Sequence, residues 1–196
     1  MSAKIKRFLI GGSLLLGSLC LAWGYWIPTK AILAQVLLEW AWNKSIESGS
    51  VVKPWPWADS WPVGRLRQDR LGVDLIVLEG ASGEALAFGP GRLEAGGKLG
   101  GDLHSVLAGH RDTSFSFLQD LRIGDTLDVE NRDGETSYTV SSTTVLPATE
   151  LYLDSQRHQS LSLVTCYPFD AILPGTTMRF LVTASKESQT VLIDKS

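Results

Sequence analysis

From Val63 onward the chain is a succession of short β-prone runs separated by turn residues, and few architectures accept that pattern. Val73 to Leu78 reads as a strand, with loops at Gly80-Ala81-Ser82-Gly83 and Phe88-Gly89-Pro90-Gly91. Gly96-Gly97 and Gly100-Gly101 make a flexible approach to a strand that ends at His110. Ser116 to Leu121 fits one or two helical turns before Gly124-Asp125. Thr126 to Glu130 and Thr136 to Val145 read as a hairpin around Asn131-Arg132-Asp133-Gly134. Leu161 to Cys166 and Met178 to Ala184 complete the set. Many short strands at regular spacing predict an all-β sandwich or barrel, and periodicity alone leaves both open.

The N-terminal part is built differently. No charged residue occurs from Phe8 to Ile27, a length close to the ~20 residues that cross a bilayer as a helix. Lys4, Lys6 and Arg7 precede the run, and Trp23, Tyr25 and Trp26 stand at its far end. This predicts a transmembrane anchor with a cytoplasmic N-terminus. A cleaved signal peptide fits less well, because the run is long and bulky rings follow it. Leu19 is too large to precede a lipoprotein cysteine at Cys20. Pro28 is expected to end the span and Thr29 to cap a second helix. Along Lys30–Glu47 the residues Gln35, Glu39, Asn43 and Glu47 mark a polar face, and Ile32, Leu33, Val36, Leu37 and Trp40 an apolar one. Such a helix lies on a membrane surface, packs on the body, or simply continues the first helix. From Ser48 to Pro62, Pro54, Pro56 and Pro62 alternate with Trp55, Trp57 and Trp61, which predicts an extended, semi-rigid tether. All seven tryptophans lie at or before Trp61, as interfacial anchors or as plugs into the body.

Charge separates the same two parts. The first 30 residues carry Lys4, Lys6, Arg7 and Lys30 and no acid, while the whole chain stands at −3, so the remainder stands at −7. An acidic body excludes a nucleic-acid partner, which needs a basic footprint. The two cysteines, Cys20 and Cys166, give no disulfide framework.

Three residues carry the chemistry. Cys166 closes the run Leu161-Ser162-Leu163-Val164-Thr165, where a strand end holds a thiol rigidly near the rim. His110 closes Val106-Leu107-Ala108-Gly109, and Arg179 lies within Met178–Val182. A cysteine with a histidine elsewhere in the chain is the nucleophile–base pattern. The segments Ser162-Leu163-Val164-Thr165-Cys166, Gly109-His110-Arg111 and Arg179 occur in the order of the sortases, the membrane-anchored cysteine transpeptidases, and the region Trp61–Ala184 resembles that family. The family's cysteine motif is TLxTC; here Ser162 replaces the first threonine and keeps its hydroxyl. The segment Lys53-Pro54-Trp55-Pro56-Trp57-Ala58-Asp59 resembles the Gram-negative subgroup.

The resemblance implies a closed eight-stranded β-barrel with short helices, preceded by the transmembrane helix. It implies a domain plan: residues 1–28 as cytoplasmic stub and anchor, 29–60 as helix and tether, 61–185 as the catalytic barrel, 186–196 as a polar tail. It implies Cys166 as nucleophile, His110 as acid and base, and Arg179 as electrostatic stabiliser, with Ser162 and Thr165 as substrate-binding candidates. The substrate would be a protein with a C-terminal LPxTG-like sorting signal, cleaved through a thioacyl intermediate and passed to an amine, with no cofactor. The implied location is the inner membrane, single-pass, with the catalytic domain in the periplasm. A membrane-tethered barrel that binds or assembles without turnover is the alternative; an L,D-transpeptidase has a different motif order. Asp112 is a possible orienter of His110. His104 and His110 lack a third ligand at convincing spacing for zinc, His158 reads as a solvated loop residue, and His110-Arg111-Asp112 resembles the kinase triplet without its companion motifs.

Overall fold

The computed structural model describes residues 3–152, 159–173 and 175–186. The chain divides into two compact units, Met1–Leu37 and Leu38–Ser196. The first contains most of helix α1, which runs unbroken over Ala3–Ser48. Pro28 therefore does not end the helix. Thr29 does not cap a new one either: its hydroxyl donates back to the Tyr25 carbonyl at 2.6 Å, one turn earlier in the same helix. The expected location is corrected here. Among the described residues no helix is long and apolar enough to cross a membrane, so the single-pass anchor and the periplasmic placement that followed from it fall away. Freedom from charge is not the same as sustained apolarity. Gly11, Gly12, Ser13, Gly17, Ser18 and Gly24 add little to transfer into hydrocarbon, and the helix runs on through Thr29, Lys30 and Gln35.

The second unit holds a closed barrel of β1 (Pro62–Gln68), β2 (Val73–Glu79), β3 (Gly91–Arg92), β4 (Ser105–Ala108), β5 (Thr126–Asn131), β6 (Gly134–Pro147), β7 (Ser160–Tyr167) and β8 (Met178–Lys186). The order around the barrel is β1-β2-β3-β4-β7-β8-β6-β5, closed by β5 on β1. The expected eight-stranded barrel is thus present. The β5–β6 hairpin pairs Asn131 with Gly134, with the Asn131 side chain accepting from the amides of Asp133 and Gly134. β1 and the two-residue β3 had no clear sequence signal. Nor had α2 (Gly83–Leu86), capped by the Ser82 hydroxyl. Residues 153–158, including His158, and the tail 187–196 lie outside the described residues.

Alternate residues of the long strands point inward. Leu66, Val77, Leu107, Leu127, Val129, Tyr138, Val140, Leu161, Leu163, Val182 and Ala184 form the core, and the 3-10 helix Ser116–Asp120 and its flanks add Phe115, Leu118 and Leu121. A second cluster lies outside the barrel, where Leu38 and Trp42 of α1 pack with Ile76 and Leu78 of β2 and Ala85 of α2. The buried face of this part of α1 is Leu38, Ala41, Trp42 and Ser45. Of the expected apolar face, Ile32, Leu33, Val36 and Trp40 are exposed instead, and Leu37 is half-buried. Glu39, from the expected polar face, pairs with Arg65 at 2.8 Å. The tether is not a free spacer. Lys53 Nζ donates to the Ala58 carbonyl, the Ser60 hydroxyl donates to the Glu79 carbonyl, and Trp55 meets Phe88 edge-on at 5.3 Å. Trp42 and Trp55 serve as plugs, while Trp57 is exposed.

Tyr138 is fully buried and its hydroxyl has no hydrogen-bond partner among the described residues. Burial, with the charge of Asp102 adding to it, pushes the phenol up to about 12. The unfolded chain ionises near ~10. Stability from this group is therefore complete below ~10 and is lost as pH rises towards 12. Tyr138→Phe removes no bond and is expected to leave the urea midpoint at pH 8 unchanged or raised. At pH 11 the variant should gain about 1 kcal/mol over the wild type. Equal pH dependence in the two proteins would show that folding does not hold the Tyr138 phenol neutral.

Candidate active site

β7 is buried from Ser160 to Thr165, and the burial ends at Cys166. Its sulfur is thus fixed on a core strand yet reaches the surface. Cys166 stands directly opposite Arg179 in the antiparallel β7–β8 pair, so the two side chains leave the same face of the sheet. On the other side β4 runs parallel to β7 with Ala108 beside Val164. Continuing that register by two residues brings His110 alongside Cys166. His110 and Cys166 line one open cleft of about 510 Å³, together with Ala87, Arg111, Asp112, Thr113 and Gly175. The structure thus brings Cys166 and His110, 56 positions apart, to one cleft; Arg179 stands opposite Cys166 in the sheet but is not itself among the lining residues. Ser162 and Thr165 are not among the lining residues.

The peptide before the histidine is stitched to the strand before the cysteine. The Thr165 hydroxyl donates to the Gly109 carbonyl at 2.7 Å, and the Gly109 amide donates to the Val164 carbonyl. The His110 carbonyl accepts from the Phe115 amide at 2.9 Å. Gly109 is required by packing: a Cβ there would sit 2.7 Å from the Phe115 ring. These contacts fix the backbone of His110 and leave its ring exposed to the cleft. Among the described residues no carboxylate pairs with that ring, Asp112 included.

Both hydroxyls expected to meet substrate are committed internally. Thr165 is 2 % exposed and spends its hydroxyl on Gly109; Ser162, equally buried, lies 2.9 Å from His104 Nε2. Neither commitment is visible from residue type, since hydroxyls are ordinary strand content. Thr165→Val keeps the volume, removes the donor and leaves a buried carbonyl short of a partner. A stability loss of about 1–3 kcal/mol is expected, read as a lower urea midpoint at unchanged slope. An unchanged midpoint would mean that the stitch carries no weight.

Arg179 is anchored rather than free. Its Nη1 donates to the carbonyls of Thr176 and Met178, at 2.7 and 2.9 Å. Among the described residues nothing takes its Nε or Nη2. A second arginine, missed by the sequence reading, reaches the same loop. Arg111 Nη2 donates to the carbonyls of Ala171 and Leu173, and Nη1 to the Thr176 hydroxyl. Its acceptors are mostly backbone atoms, which leave no trace in residue types.

The sortase domain family model matches residues 66–187, which span all three of Cys166, His110 and Arg179. The chain belongs to the sortase family. Among curated relatives, sortase D of Bacillus subtilis is 29% identical over 111 residues. That match covers 56% of each protein, so the chain spans little more than half the length of the relative. Among solved structures, sortase C-1 from Actinomyces oris superposes with a TM-score of 0.56 at 29% identity, covering 64% of this chain and 72% of that one. Group B Streptococcus Pilus Island 1 sortase C2 gives a TM-score of 0.56 at 27% identity, covering 64% and 74%. Sortases are cysteine transpeptidases. A thiol, an imidazole and a guanidinium at the rim of a sortase barrel have the chemistry for acyl transfer: a nucleophile, a proton carrier and a fixed cation.

Proposed function

We propose that this sortase is an active cysteine transpeptidase whose catalytic barrel is residues 61–185. Its substrate is a protein with a C-terminal LPxTG-like signal. The observation that carries the reading is that Cys166 shares a cleft with His110 and faces Arg179 across β7 and β8. In the first step the Cys166 thiolate attacks the carbonyl carbon of the signal's threonine, forming a C–S bond. The tetrahedral oxyanion is stabilised by the free donors of Arg179. The C–N bond then breaks, and His110 gives its proton to the departing amine. In the second step an incoming amine loses a proton to His110 and attacks the thioester. A new amide forms and Cys166 leaves as thiolate, to be reset with the proton count unchanged. A thioester suits this work because amines attack it well while water attacks it slowly. The segment Lys53–Asp59 supports membership of the Gram-negative subgroup.

The test is to incubate the full chain with a panel of Leu-Pro-containing peptides, with and without small amines. Mass spectrometry should find a peptide thioester on Cys166, and amine-capped product when amine is present. A Cys166 thiol inert to small alkylating reagents, with no adduct from any peptide, would instead favour a binding module.

A further inference from the structure

Thr176 is held by two arginines from different parts of the barrel. Its carbonyl accepts from Arg179 Nη1 and its hydroxyl from Arg111 Nη1. Arg111 also holds Ala171 and Leu173, so one guanidinium spans most of the connection between β7 and β8. Arg111 lies next to His110 in sequence, and Gly175 of the same connection lines the cleft beside Cys166. The half-buried Arg111 is thus a cross-tie between the histidine segment and the wall facing the cysteine. We propose that Arg111 is a positioning residue of the transfer reaction: by fixing the Ala171–Thr176 connection it fixes the Thr176 carbonyl on which Arg179 is anchored, and so aims the remaining donors of Arg179 at the reacting carbonyl.

The physical argument is one of degrees of freedom. An arginine on a strand end has four rotatable side-chain bonds, and its cationic head reaches many places unless acceptors select one. Thr176 O and Met178 O make that selection for Arg179. Met178 belongs to β8 and is held by the sheet, whereas Thr176 lies outside any strand. Phe169, at the start of the connection, packs on the core, but Ile172 and Leu173 further along are 97% and 77% exposed and supply no core packing there. Beyond Phe169, Arg111 supplies three hydrogen bonds, to Ala171, Leu173 and Thr176, through a planar fork that lysine does not reproduce.

This inference rests on the transpeptidase reading, and its test separates the two. Arg111→Met and Arg111→Lys are made in the wild type and in an Arg179→Lys background, with circular dichroism to show that each barrel is folded. Thermolysin, which cuts at exposed aliphatic residues, reads the connection at Ile172 and Leu173 without any need for catalysis. Arg111→Met should speed that cleavage several-fold, and Arg111→Lys should fall between. Acylation of Cys166 by peptide should drop about tenfold in the wild-type background, in keeping with the sensitivity of catalysis to small misplacements. In the Arg179→Lys background the same change should cost much less, because the residue being aimed is already gone. Unchanged thermolysin cleavage overturns the cross-tie. Effects of the two substitutions that simply multiply overturn the positioning role. A wild-type chain that never acylates overturns the transpeptidase reading itself, whatever thermolysin shows.

Discussion

Cys166→Ala is expected to abolish both peptide cleavage and amine transfer. Every step of the proposed reaction forms or breaks a bond to that sulfur, and among the described residues no other thiol lines the cleft. The substitution is small and falls where the burial of β7 ends, so the barrel should survive it. The control is Cys20→Ala. Cys20 is exposed on α1, in the compact unit Met1–Leu37, and its loss should leave turnover unchanged. Release of the leaving peptide and capture of a labelled amine, both followed by mass spectrometry, check the pair. Turnover in Cys166→Ala near the wild-type level would end the transpeptidase proposal, since none of the hydroxyls of Ser160, Ser162 and Thr165 on β7 is exposed to replace the thiol.

Arg179→Lys carries the second large effect. With Nη1 spent on the carbonyls of Thr176 and Met178, the proposed role of Arg179 depends on its remaining donors and on their fixed angle to the anchored one. A lysine ammonium is a single centre. It must either replace the anchor or meet the oxyanion, and it cannot reproduce a planar fork that does both. Loss of one oxyanion donor costs ~10²–10³ in turnover. We therefore expect acylation to fall by at least about tenfold, a conservative bound from that range. The rate at which a small reagent labels Cys166 should change far less, because a positive charge stays near the thiol. Measuring both rates on one preparation, with circular dichroism to confirm the barrel, separates the roles. Near-normal acylation in a folded Arg179→Lys protein would leave Arg179 as a charge or as a brace for the β7–β8 connection.

Much of the barrel was legible because period-2 patterning is local. Val73–Leu78, the hairpin around Asn131–Gly134, Leu161–Cys166 and Met178–Ala184 each write their pairing into their own residues. β3 escaped because two residues, Gly91 and Arg92, hold no pattern, and α2 because four residues show no helical period. α1 departs from the sequence expectation in two ways, each with its own cause. Its buried face is chosen by the partner it meets, Ile76 and Leu78 on β2, and not by which of its own faces is richer in apolar residues. The run without charge, for its part, suggests a membrane span, yet glycine and serine make it only moderately apolar.

The candidate site divides along the same line. By itself the sequence determined the reagents, a thiol on one strand end, an imidazole on another and a guanidinium on a third, because functional-group chemistry belongs to single residues. Only the tertiary structure decided their partners. The parallel register of β4 and β7 sets His110 beside Cys166, and the antiparallel register of β7 and β8 sets Arg179 across from it. Ser162 and Thr165 face His104 and Gly109, and Arg111 reaches past the cleft to brace Thr176. The partners of Ser162, Thr165 and Arg111 lie 56 to 65 positions away, and some are backbone atoms common to every residue, so composition and spacing carry no record of them. The side-by-side pairing of β4, β7 and β8 creates them, by bringing the ends of β4 and β7 and the start of β8 to one rim.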